Sequence, residues 1–170
     1  MDRLSFMRMD PILKFLSFLA QLCAVLAGLI LTAVTLVTCV SLIGRNTTGW
    51  TILGDYELTA VAAGAAVALF MPLCQLRREN IIVDFFTAKA PAALNALFDR
   101  FGALLMALML IFIGWRTAIG GMSAYTSQTT TMMLGFPEWV VYAAMVPPLL
   151  LTGVIALAQT FGPAQEEALA

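Results

Sequence analysis

The side chains best suited to binding chemistry lie in one short connector, residues 44–58, with the sequence GRNTTGWTILGDYEL. Arg45, Trp50, Asp55 and Glu57 supply a cation, an indole N–H donor and two carboxylates. The connector separates two apolar runs, so it lies where a chain would leave a membrane. There the four residues either anchor helix ends at the lipid headgroups or form a rim that contacts a partner.

Residues typical of catalysis, cofactor binding or metal binding do not form a site in this sequence. The chain has no histidine, which excludes haem ligation by imidazole and a histidine proton relay. Cys23, Cys39 and Cys74 lie inside apolar runs and lack CxxC spacing, so we expect neither a disulfide nor a metal site. We expect no enzyme activity and no cofactor in this chain.

Two strongly polar residues within apolar runs, Gln21 and Arg116, could serve transport. Arg116 lies near the end of its run, where snorkelling or a structural ion pair is favoured over a transport role. Pro147 and Pro148 in the last run would fit a discontinuous helix, but a packing kink is favoured. The chain therefore lacks the ionisable groups at mid-depth that a self-sufficient ion-coupled transporter needs.

The elements that carry these residues are membrane helices. The sequence is 61% apolar and only 11% charged, with a mean hydropathy of +0.93, far from the composition of a soluble domain. A hydrocarbon core of about 30 Å needs roughly 20 apolar helical residues. The sequence predicts an all-α integral membrane protein, a single membrane domain over residues 1–170, with four transmembrane helices over 15–43, 58–76, 101–124 and 139–161.

The basic residues predict the orientation of these helices. All but two of the nine lie before the first span or between the second and third, and the two exceptions are Arg45 and Arg116. By the positive-inside rule both termini are cytoplasmic, and the 44–58 connector is on the outer side. Trp50, Trp115 and Trp139 then fall near the outer ends of spans, as an aromatic belt would.

The inner connector, residues 77–100, predicts a short amphipathic helix lying in the membrane surface. Its apolar face would carry Ile81, Ile82, Phe85 and Phe86, while Asp84 faces elsewhere. The alternative is an amphipathic loop without a role beyond solubility.

Small residues repeat every fourth position on two of the spans. The first span has Ala20, Ala24 and Gly28, and the second has Ala60, Gly64 and Ala68. Such faces let helices approach closely in lipid. They serve either packing within the four-helix bundle or docking against another membrane protein, and the spacing alone does not separate these two uses.

The order of these features resembles the small membrane subunit of tripartite ATP-independent periplasmic (TRAP) transporters, the DctQ-like family, over roughly residues 15–160. The resemblance rests on an arginine after the first span, a tryptophan, an acidic residue before a small-residue-rich second span, the IIVD segment and a proline-led fourth helix. These positions are Arg45, Trp50, Glu57, Gly64, Asp84, Pro137, Trp139, Tyr142 and Pro147. Asn80, where the family often has histidine, and Cys39-Val40, where an Asn-Val pair is common, depart from the pattern.

The resemblance implies a function and a set of partners. It implies a scaffold subunit in the bacterial inner membrane that supports a large membrane subunit carrying substrate and sodium. A periplasmic binding protein would deliver an organic acid of the dicarboxylate, keto acid or sialic acid type. We also expect contact with membrane lipid and no binding of nucleic acid.

Two other classes of function remain open from the residues. The first is a self-contained small four-helix transporter or channel that works as a homo-oligomer, although such exporters carry a glutamate in the first helix that residues 15–43 lack. The second is an anchor for a redox complex, whose haem-bearing forms are disfavoured by the absence of histidine.

Overall fold

The computed structural model describes residues 11–77 and 92–161 and consists of four helices. These are α1 (Pro11–Thr47), α2 (Asp55–Leu76), α3 (Ala92–Ser127) and α4 (Trp139–Phe161). All four are long and apolar enough to cross a membrane. The prediction of an all-α protein with four transmembrane helices is therefore confirmed.

The helix bounds differ from the predicted spans mainly at α1 and α3. With 37 residues, α1 is about 55 Å long, so it must tilt or project from a bilayer core of about 30 Å. The α3 helix already begins at Ala92, inside the predicted inner connector. The predicted amphipathic helix with Ile81, Ile82, Asp84, Phe85 and Phe86 lies outside the described residues. The inside position of both termini stays a prediction.

Local sequence explains where the helices start and stop at the 44–58 end. Gly49 adopts φ 73° just after α1, the left-handed conformation with which glycine commonly terminates a helix. Gly54 (φ 82°) precedes α2, whose first turn carries Asp55 and Glu57. Negative charges there are favourable because they face the positive end of the helix dipole. The α4 helix runs without interruption through Pro147 and Pro148.

The helices pack in the spatial order α1, α2, α4, α3, and α1 also reaches α4. Ala27 on α1 packs with Ala66 and Leu69 on α2. The α1–α4 contact is a cluster of Leu16, Ala20 and Ile155. The bundle is thus two helical hairpins, α1–α2 and α3–α4, joined mainly through α2 and α4.

Glycines allow α3 and α4 to approach closely. A Cβ added at Gly121 would lie 2.8 Å from Cβ of Tyr142, and one at Gly153 would lie 2.7 Å from Cγ1 of Ile111. Neither position has room for a methyl group without movement of the opposite helix or side chain. Close packing of this kind stabilises the association of helices in lipid, where the hydrophobic effect contributes little.

Candidate functional site: the rim and the two hairpin clamps

The rim, formed by the α1–α2 connector (residues 48–54) and the α3–α4 connector (residues 128–138), is one structure at one end of the bundle. The first connector folds back over the end of α1, so that the carbonyl oxygen of Trp50 lies 2.7 Å from where a Cβ on Gly44 would be. This leaves the Trp50 side chain 60% exposed. Trp50 therefore faces outward from the bundle, where lipid or a partner could contact it.

Ser41, Arg45 and Asp55 join the end of α1 to the start of α2. The fully buried Ser41 hydroxyl donates to Oδ2 of Asp55 at 2.6 Å and accepts the Ile52 N–H at 3.4 Å. Nη2 of Arg45 lies 3.7 Å from the same Oδ2, and its side chain is 56% exposed. Because an exposed ion pair adds little stability, the Ser41 bond is the stronger part of this connection, and the Arg45 guanidinium still faces outward.

The carboxylate of Glu57 joins the two hairpins at the rim. Oε1 accepts the Met133 N–H at 3.0 Å, and Oε2 accepts the Leu134 N–H at 3.1 Å. Bonds from N–H groups to an ionised acceptor are stronger than neutral ones. Leu134 also packs against Gly54, where an added Cβ would lie 2.5 Å from its Cγ. We call these contacts of Glu57 and Gly54 with the α3–α4 connector the outer clamp.

The α3–α4 connector is a tight hairpin of its own. Its base is an isolated bridge between Thr130 and Pro137, and the Thr131 N–H donates to the Phe136 carbonyl at 2.9 Å. The hairpin tip presents Met132, which is fully exposed, and Met133. The outer clamp therefore holds an apolar tip beside the first turn of α2.

A second polar contact joins the hairpins at the opposite end of the bundle. The Gln75 side-chain amide donates to Oε1 of Gln159 at 2.8 Å, and Nε2 of Gln159 donates to the Gln75 carbonyl at 2.8 Å. Gln75 is buried, and its carbonyl belongs to the last turn of α2. We call this contact the inner clamp.

The predicted small-residue faces divide between buried and open positions. Ala20 and Ala68 are buried, whereas Ala60 is exposed and Ala24 is half-buried. A Cβ added at Gly28 or Gly64 would meet nothing within 4 Å. Within the described bundle these two glycines do not mediate close helix packing, so their role as an interface with a partner stays a prediction.

Several residues that hold the bundle together are absent from the sequence-based expectations. The sequence singles out Gln21 and Arg116 as the strongly polar residues of the spans. Both are exposed, and Gln75 bonds to Gln159 instead. Two glutamines near the same end of neighbouring spans were a usable signal, because amides in lipid bond across helices. Ser41 carried no such signal, since a lone serine in a helix usually bonds its own backbone.

Among the described residues, no group of three or more histidine, cysteine, aspartate or glutamate side chains could hold a metal ion. Asp55 and Glu57 each use their oxygens in contacts within the chain. The rim and the two clamps can hold the helices and connectors of this chain in place and can contact another protein.

The four apolar helices and the clamps that join two hairpins define a multi-pass integral membrane protein. The sequence profile of the family described as "Tripartite ATP-independent periplasmic transporters, DctQ component" matches residues 34–166. The chain belongs to this family, and the resemblance predicted from the sequence is confirmed. It is a membrane component of a transporter rather than an enzyme, and it resides in the bacterial inner membrane. No curated protein or solved structure matches the chain significantly.

Proposed function

We propose that this chain is the small scaffold subunit of a sodium-coupled secondary transporter that imports an organic acid of the dicarboxylate, keto acid or sialic acid type. In this proposal the large membrane subunit binds sodium and substrate, and a periplasmic binding protein delivers the substrate. The small subunit supplies a fixed frame in the membrane against which the large subunit moves.

The observation that carries the proposal is the pair of clamps. Glu57 ties α2 to the α3–α4 connector at one end of the bundle, and Gln159 ties α4 to the end of α2 at the other. Two hairpins held at both ends resist the rocking of one half against the other on which alternating access depends. The clamps thus favour a supporting role over a moving one.

The packing at mid-depth supports the same role. Ala27 and Ala66 bring α1 against α2. Gly114 on α3 lies against Leu150 of α4, and Gly153 on α4 lies against Ile111 of α3. Contacts this close between small apolar side chains leave little freedom for relative motion, because packed interiors transmit strain rather than absorb it.

Open surfaces remain for partners. The α2 face with Ala60 and Gly64 has room for another helix to approach. At the rim, the exposed side chains of Arg45 and Trp50 could contact the binding protein or the headgroups. We assign the first surface to the large subunit, because small residues mediate close helix contacts in lipid.

Breaking both clamps tests the proposal. The double variant Glu57→Gln with Gln159→Leu should still insert into the membrane, but uptake by the complex with the large subunit and binding protein should fall well below that of the wild type. The matched control is Glu138→Gln with Gln21→Leu, which makes the same chemical changes at a glutamate and an exposed glutamine outside the clamps. Full uptake with the double clamp variant would contradict the proposed fixed frame.

A further inference from the structure

The tip of the α3–α4 connector, residues 132–134, is apolar and open. The surrounding segment, residues 131–137, has the sequence TMMLGFP without a charged side chain. Met132 is fully exposed and Met133 is 70% exposed, and Leu53, next to the Gly54 that the tip covers, is 77% exposed. Exposed apolar side chains clustered in this way mark an interaction surface rather than a solvated loop.

The length of α2 places this tip at the boundary of the hydrocarbon core. Between Glu57 in its first turn and Arg77, which caps its other end, α2 carries no charged residue. The two charged residues are about 30 Å apart along the helix, which is the thickness of a hydrocarbon core. The Met133 N–H lies 3.0 Å from Oε1 of Glu57, so the tip lies at the depth of that boundary.

The end of α1 extends further from the bilayer than the tip does. The hydrogen bond from Ser41 to Asp55 sets the start of α2 level with Ser41. From Ser41, α1 continues to Thr47, about 9 Å further along its axis, and Arg45 belongs to this further part. A soluble protein that approaches the rim from water would meet the end of α1 before it met the tip.

The backbone of the tip is satisfied within the chain. Residues 133–136 are not helical, yet each of their four N–H groups has an acceptor. Glu57 accepts the first two, the Thr131 carbonyl accepts the third at 3.1 Å, and the Thr131 hydroxyl accepts the fourth at 3.1 Å. Irregular backbone enters the apolar part of a membrane only where its polar groups are satisfied by the protein. The tip meets this requirement, which a loop in water does not need to meet.

We propose that the tip of the α3–α4 connector inserts into the lipid interface at the rim end of the bundle. Met132 and Met133 lie between the headgroups and the first carbons of the acyl chains, and lipid replaces water around them. Glu57 is the positioning residue, because it accepts the two N–H groups that would otherwise need water. Tyr125 and Trp139, which meet edge to face at the same end, lie where an aromatic belt marks this interface.

A nitroxide label at Met132 tests the proposal in the full chain. Met132→Cys is made in a chain whose three cysteines are replaced by alanine, and the labelled protein is placed in nanodiscs of phosphatidylethanolamine and phosphatidylglycerol. Paramagnetic resonance gives the collision rates of the label with oxygen, which concentrates in hydrocarbon, and with a nickel chelate, which stays in water. The reference positions are Thr48→Cys at the exposed end of α1 and Phe112→Cys at an exposed position inside the α3 span. Circular dichroism confirms that each labelled chain is folded.

We expect the ratio of oxygen to nickel collisions at Met132 to be several times the ratio at Thr48 and below the ratio at Phe112. Adding Glu57→Ala should lower the ratio at Met132 toward that at Thr48, and an unchanged ratio would contradict the role of Glu57. Equal ratios at Met132 and Thr48 would overturn the proposal, because the tip would then stand in water. Low collision rates with both reagents at Met132 would also overturn it, because a second copy of the chain would then cover the tip. The measurement uses this chain alone, so it does not depend on the proposed function.

Discussion

The close approach of α3 and α4 gives a sharp prediction at two adjacent glycines. In Gly121→Ala the new Cβ would lie 2.8 Å from Cβ of Tyr142, whereas in Gly120→Ala it would lie 3.4 Å from Cε1 of the same residue. A Cβ moves only with its backbone, so Gly121→Ala forces α4 away by about 1 Å to restore a normal carbon contact. The aromatic ring beside Gly120 needs no such movement.

Helix propensity and overpacking determine how far the stabilities of the two variants differ. Both substitutions gain helix propensity of about 1 kcal/mol, which cancels when the two variants are compared. Overpacking costs about 1–3 kcal/mol and applies only to Gly121→Ala. Gly120→Ala should therefore be as stable as the wild type or more stable, and Gly121→Ala should be less stable than Gly120→Ala by about 1–3 kcal/mol.

Thermal unfolding of the purified chain in detergent, followed by circular dichroism, measures this difference. We expect Gly121→Ala to melt several degrees below Gly120→Ala. If Gly121→Ala melts at or above the temperature of Gly120→Ala, the α3–α4 interface does not have the described register at Tyr142 and is not tightly packed there.

Three further predictions concern the rim, the open face of α2 and the orientation. Glu57→Gln removes the charge of the outer clamp, so the backbone amides of residues 129–138 should exchange hydrogen faster than in the wild type. Unchanged exchange would show that the Glu57 carboxylate does not hold this connector. Gly64→Leu places a bulky side chain where an added Cβ meets nothing within 4 Å. The isolated chain should therefore keep its melting temperature, while co-purification with the large subunit should fall. Normal co-purification would show that this face does not dock against the large subunit. Reporter fusions at Thr48 should be periplasmic and those at Thr87 cytoplasmic, and the reverse pattern would refute the orientation.

The sequence was enough to predict the helices because length and apolar composition determine membrane spans directly. The end of α4 agrees with prediction at Phe161, while α1 begins at Pro11 and α3 at Ala92, outside the predicted apolar runs. Helices extend past a span whenever backbone hydrogen bonding continues beyond the bilayer, and hydropathy does not detect this extension.

The faces that pack were harder to predict than the helices. Repeats of small residues every fourth position pointed to Gly28 and Gly64, but Ala27 and Ala66 form the α1–α2 contact. Where small residues are also adjacent in sequence, spacing does not decide which of two neighbouring rows faces the other helix. The partners of Glu57 were equally inaccessible, because Met133 and Leu134 offer backbone N–H groups that every residue except proline carries.

Reconstitution into liposomes distinguishes a scaffold subunit from a self-contained transporter. The purified chain alone, the large membrane subunit alone and the two together are compared for sodium-dependent uptake of an organic acid delivered by the periplasmic binding protein. The scaffold function predicts no uptake by this chain alone and robust uptake by the two membrane subunits together. Sodium-dependent uptake by this chain alone would contradict the scaffold function and favour a self-contained transporter.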